Sequence, residues 1–178
     1  MRPDVGFVTR WIAFSALGMS VGVFAAASLL GLALGQWEER PVLPADYALL
    51  LTLFVAGAAH GAAMGAMQSV LLHRRIGIDR TRWILTTAAV AGLTWALGGT
   101  INLVDGDPWD AAQRLRGIVL GGLVLGAILG TGQWLALRRH LPDSFAWIPA
   151  NSLAWVAGTG LGVVALHDFA PRRQLENR

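Results

Sequence analysis

Gln68 and Gln133 share a setting that suggests a common task. Each follows three glycines spaced four apart: Gly57, Gly61 and Gly65 before the first, Gly122, Gly126 and Gly130 before the second. Each is followed four residues on by a leucine, Leu72 or Leu137, and then by a basic cluster holding Arg74 and Arg75 or Arg138 and Arg139. At about 100° per residue the three glycines fall at roughly 0°, 40° and 80° around a helix, and the glutamine returns to roughly 20°. One helix face therefore carries three glycines and a single amide. A carboxamide does no acid–base chemistry, but it offers both donors and an acceptor. In lipid the ordinary use of such a face is close helix packing with a hydrogen bond across the contact. The functional use is a pair of amides facing a shared crevice that holds a lipid headgroup or small ligand. The nearby arginines would then favour an anionic group at that end, such as a phospholipid head.

His60 is the other ionisable candidate, because an ionisable residue in the middle of an apolar run is a site hypothesis by default. It lies roughly 80° from Gln68 around the helix, and Leu125 takes its place in the second copy. The ordinary reading is a neutral histidine hydrogen-bonded to a neighbouring helix; the functional ones are haem ligation or a proton relay. His73, His140 and His167 lie at run ends, so bis-histidine ligation would require a second copy of the chain. The acidic stretch at 105–110, DGDPWD, lacks the twelve-residue loop and terminal glutamate of a calcium-binding hand and reads as a solvated turn. No nucleophile-elbow, zinc-protease, phosphate-loop or dinucleotide motif stands in a usable context. There is no cysteine, which removes disulfides, thiolate chemistry and cysteine metal sites. No catalytic residue, metal or cofactor is expected.

The elements that must hold these residues follow from composition. Of 178 residues, 54% are hydrophobic and 14% are charged, and mean hydropathy is +0.53. A soluble domain carries about a quarter charged residues. The 22 glycines fit membrane helices, where glycine is frequent. All 14 basic residues are arginines that flank apolar runs rather than forming a stripe, so no nucleic-acid partner is expected. Five runs are long enough to cross a bilayer, at about 11–35, 47–72, 83–104, 117–137 and 147–166. The fold class is all-α: one membrane domain of five transmembrane helices. A polar turn at 36–46, a basic loop at 73–82 and a short loop at 138–146 connect them, and the tail from 167 is polar. The first run is too long for a signal-peptide core, though a cleaved signal is the alternative. Tryptophans near the run ends, among them Trp11, Trp37, Trp83, Trp109, Trp134 and Trp147, read as an interface belt, with Trp95 and Trp155 deeper.

The glycine–glutamine pattern is part of a larger repetition. Trp83-Ile84 opens the run after the first copy and Trp147-Ile148 the run after the second, so hairpins at about 57–104 and 122–166 correspond. Trp11-Ile12 makes the first run an unpaired copy of the hairpin's second helix. Two helices per unit give a parallel repeat, with a pseudo-twofold axis along the membrane normal. Across that axis the glycine faces are expected to meet, bringing Gln68 and Gln133 together. The set Gly126, Gly130, Gln133, Trp134, Leu137, Arg138, Arg139 and Trp147 resembles a group of small bacterial multi-span membrane proteins with repeated hairpins of this kind. The first copy departs from it at Ser69, and the resemblance implies no activity.

The expected role is a non-enzymatic helix-packing module (a scaffold, accessory subunit or sensor), or else a binder or transporter of a lipid or other apolar molecule between the hairpins. Membrane lipids, other membrane proteins or a second copy are the partners that fit, and a bacterial inner membrane the location. The side with the N-terminus and the loops at 73–82 and 138–146 carries eight arginines against three aspartates, a net of +5. The other side carries six against eight acidic residues, a net of −2. Arginine bias places the first side in the cytoplasm. Reporter fusions should therefore read outside at 105–110 and at the C-terminus, and inside at 76–80. A cytoplasmic C-terminal reporter would remove the span count or the orientation.

Overall fold

A computed structural model of the chain describes residues 5–39, 45–104 and 111–169. The acidic turn at 105–110 and the tail beyond 169 lie outside them. Five helices follow one another: α1 (Val5–Glu39), α2 (Ala45–Ile76), α3 (Arg80–Val104), α4 (Ala111–Leu137) and α5 (Trp147–Phe169). Among the described residues three segments are long and apolar enough to cross a membrane, Val5–Ala33, Tyr47–Ile76 and Leu115–Leu137.

The helices run further than the apolar runs alone indicate. The polar turn expected at 36–46 shrinks, because α1 continues to Glu39 and α2 begins at Ala45. The basic loop expected at 73–82 shrinks to three residues, with His73, Arg74 and Arg75 forming the last turn of α2. Local chemistry explains the tight corner. Gly77 takes φ +68° and its N–H bonds the His73 carbonyl at 2.9 Å, the left-handed cap that ends a helix. The Asp79 carboxylate accepts the Arg82 N–H at 2.6 Å and so caps α3. Between the caps, His73 Nδ1–H donates to the Ile78 carbonyl at 2.9 Å, and the Ile78 side chain is fully buried.

The expectation that the glycine faces of the two hairpins meet is wrong. Each face packs inside its own hairpin, onto the helix that follows. A Cβ built on Gly61 would stand 2.5 Å from Ala91 Cβ and 2.6 Å from the Thr87 carbonyl oxygen; one on Gly126 would stand 2.5 Å from Ser152 Cα and 2.8 Å from the Asn151 oxygen. Gly65 meets Ile84 and Thr87, and Gly130 meets Ile148 and Asn151. Thr87 and Ile84 follow Trp83 as Asn151 and Ile148 follow Trp147, so the two hairpins pack in one register. The physical reason is proximity in the chain: a short connection brings the second helix back against the glycines before any distant helix can reach them.

Between hairpins the contact is different. α1 packs on α2 with Gly18 against Met64 and Met67, and α3 packs on α4 with Val90 against Gly132. Gly18 and Val90 each lie seven residues after their Trp-Ile start. The helices thus follow one another around the bundle, α1 on α2, α2 on α3, α3 on α4, α4 on α5. Among the described residues the backbones of α1 and α5 do not approach.

Because the added Cβ would meet backbone, alanine is not the mild substitution that a looser glycine contact would allow. Gly61→Ala and Gly126→Ala should each destabilise the detergent-solubilised protein by about 1–3 kcal/mol, and leucine by more. Gly31→Ala, where nothing lies within 4 Å, should be tolerated. Thermal unfolding of the three variants checks this, and equal tolerance would mean that the glycine faces point to lipid.

Candidate functional site

Three tryptophans at the starts of α1, α3 and α5 come together at the end of the bundle that carries the short arginine-rich turns. The Trp147 ring stands edge-on to Trp11 at 5.5 Å and to Trp83 at 6.3 Å between centroids. Trp83 is fully buried, in a cluster with Leu72, Ile78, Ala136 and Leu137. Of these three residues, all expected in an interface belt, Trp83 is fully buried instead, and the half-buried Trp11 and Trp147 close over it as a plug at one end of the bundle. The cause is geometric: indoles on converging helices cover more apolar surface by packing on each other than by facing headgroups.

One turn further in lies a polar layer. Ser15, Thr87 and Asn151 each sit four residues after one of the tryptophans. Gln68 Nε2 donates to Ser15 Oγ at 3.2 Å, and Gln133 Nε2 donates to Thr87 Oγ1 at 3.4 Å. Trp147 Nε1 donates to Gln133 Oε1 at 2.8 Å. Asn151 Nδ2 donates to the Trp147 carbonyl at 2.9 Å. The two glutamines, expected to come together across the repeat axis, do not bond to each other. Each reaches instead to a hydroxyl on the helix preceding its own hairpin's first contact.

Both glutamines nevertheless border one cavity of about 560 Å³, within the range of about 300–1,000 Å³ usual for small-molecule sites. α1 contributes Trp11, Ser15 and Met19, and α2 contributes Met64 and Gln68. α4 contributes Leu129 and Gln133; α5 contributes Trp147, Asn151 and Trp155, among others. The walls are mainly apolar and the polar groups gather beside the tryptophan plug. Among the described residues no charged side chain lines the cavity.

The other candidates are placed elsewhere. Arg74, Arg138 and Arg139 are exposed outside the cavity, with Arg138 over the Trp134 ring at 5.3 Å. Arg75 lies over Phe7 at 4.6 Å. Without them in the lining, the anionic ligand inferred from their nearness in sequence loses its basis. His60 is buried and does not border the cavity. Its Nε2 lies 2.9 Å from Met19 Sδ, its ring stands edge-on to Trp95 at 5.5 Å, and Nδ1 has no partner. Among the described residues no group of three histidine or acidic side chains could hold a metal. Ser15, Met19 and Met64 were missed by the sequence reading. The spacing of Ser15 from Trp11, matching Thr87 from Trp83, was the signal that pointed to the first.

Comparison with protein-family models, with curated proteins and with solved structures finds no match to the chain. The site therefore stands on its geometry.

The Gln133–Trp147 bond spans α4 and α5 and should be visible as coupling. In a double-mutant cycle, Gln133→Leu and Trp147→Phe should be non-additive in unfolding free energy by about 0.6 kcal/mol. Gln68→Leu with Trp83→Phe should be additive, because those side chains are not bonded. Coupling in the second pair and not in the first would reverse the assignment.

Proposed function

We propose that the chain is a five-span membrane protein that binds an apolar small molecule with an uncharged polar head, in the cavity between α1–α2 and α4–α5. The carrying observation is the cavity itself: apolar walls from four helices, an uncharged hydrogen-bonding layer at one end, and a tryptophan plug behind that layer. A site with a few placed polar groups among apolar walls suits a ligand that partitions into lipid. The separation of the α1 and α5 backbones, bridged at one end by the Trp11–Trp147 contact, supports entry from the side. Recurrence of the same contacts in the two hairpins supports a duplicated unit, with α3 and α5 crossing the membrane beside α1, α2 and α4. Arginine bias supports a cytoplasmic N-terminus in a bacterial inner membrane.

A second reading, a scaffold or accessory subunit, is favoured by α1. Only 17% of its apolar segment is buried, against 44% in α2. So open a face suits another membrane helix.

Purification in mild detergent followed by mass spectrometry of the organic extract tests the binding reading. A neutral lipophilic compound should be enriched over bulk membrane lipid. Ala154 also lines the cavity, and Ala154→Trp, which adds bulk there, should cut its recovery about tenfold, the effect of about 1.4 kcal/mol. Extracts that match bulk lipid for both proteins would leave the scaffold reading in its place, and a co-purifying membrane protein would then identify its partner.

A further inference from the structure

The cavity leaves one hydrogen-bonding atom unanswered, and that atom constrains the occupant. Gln133 is used on both sides: Nε2 donates to Thr87 Oγ1 and Oε1 accepts from Trp147 Nε1. Gln68 repeats the first bond, donating to Ser15 Oγ. The second bond has no counterpart. Trp83 Nε1, which stands where Trp147 Nε1 stands in the other hairpin, has no acceptor, and Gln68 Oε1 has no donor. Both side chains are more than nine-tenths buried, at 0% and 6% exposure. An indole N–H only donates, which fixes Gln133 with its oxygen toward Trp147, and Gln68 has the corresponding orientation. An acceptor buried without a donor costs a factor of roughly five to a hundred in an equilibrium constant.

Ser15 supplies the matching clue. Thr9, Ser20 and Ser28 on the same helix donate their hydroxyls back to the carbonyls of Val5, Ala16 and Phe24. Ser15 makes no such bond within the described residues, so its proton is left for a molecule in the cavity. Gln68 Oε1 is buried in the cavity wall, and a turn about the soft terminal amide torsion is the movement by which it would meet an occupant. Gln68 and Ser15 together then offer one acceptor and one donor. A hydroxyl is complementary to both. A ketone, quinone or ether only accepts. A carboxylate or ammonium group would enter a lining with no opposite charge to meet it.

Resting on the reading that the cavity binds an apolar small molecule, we propose that this molecule is a lipid alcohol. Its hydroxyl donates to Gln68 Oε1 and accepts from Ser15 Oγ, and its chain lies along Met19, Met64, Leu129 and Trp155.

The test uses the full chain in nanodiscs and two probes that differ in one group, ω-bromoundecanol and its methyl ether. Bromine quenches tryptophan fluorescence on contact, and Trp155 borders the cavity. Saturable quenching by the alcohol should reach half-maximum at about a tenfold lower concentration than by the ether. Gln68→Leu should bring the two within about twofold, and Ser15→Ala should narrow the difference. Equal, saturable quenching of the unaltered protein by both probes would overturn the alcohol assignment while the binding reading survives. Quenching that never saturates with either probe would overturn the binding reading as well.

Discussion

Backbone contact between helices through glycine is the constraint on which the rest depends. In lipid no hydrophobic effect draws two apolar helices together, so association rests on packing and on a few polar bonds. At Gly61 and Gly126 the facing helix is so close that a single methyl would collide with backbone or with a Cβ. Such proximity fixes the register of each hairpin to a fraction of a turn. Register then decides that Gln133 on α4 lies opposite Trp147 on α5. A looser contact would leave the polar layer and the plug without fixed positions.

The helical class and three of the five expected span-length segments were legible in the chain, and both glutamines stand out in its pattern. Periodicity shows which residues share a face, and the glycines do share one. It does not show what that face meets. Nothing in the spacing of Gly57, Gly61 and Gly65 distinguishes α3 from a distant helix as partner; the three-residue corner at 77–79 does, through two caps whose chemistry is local. The arginines misled because nearness in sequence was taken as nearness to the site. A long side chain at a helix end turns outward to solvent or onto an aromatic ring, as Arg75 and Arg138 do.

The site was half legible for a similar reason. Gln68 and Gln133 were found because polar groups in apolar surroundings are conspicuous. Ser15 was not, since a serine in a membrane helix usually bonds its own backbone, as Ser20 and Ser28 do. Its departure from that habit goes with the Gln68 amide beside it, a neighbour that the spacing from Trp11 does not name. The same holds for the difference between the hairpins: sequence correspondence predicts two equal environments, whereas one glutamine is saturated and the other is not.

The exchange of bulk between Gly18 on Met67 and Val90 on Gly132 has a consequence for assembly. Two hairpins alike in length, polarity and contact register are easily mistaken for each other as the chain enters the membrane. At this position each helix start carries the size that only its own neighbour accepts. Seating α1 on α4 would set Gly18 against Gly132 and leave a void, while bringing Val90 against Met67 would overfill the same space. Either error forfeits dispersion contacts or strains rotamers. A single pair of complementary sizes thus tells the α1–α2 contact from the α3–α4 contact, a lock-and-key rule for pairing that neither the glycine faces nor the glutamines supply.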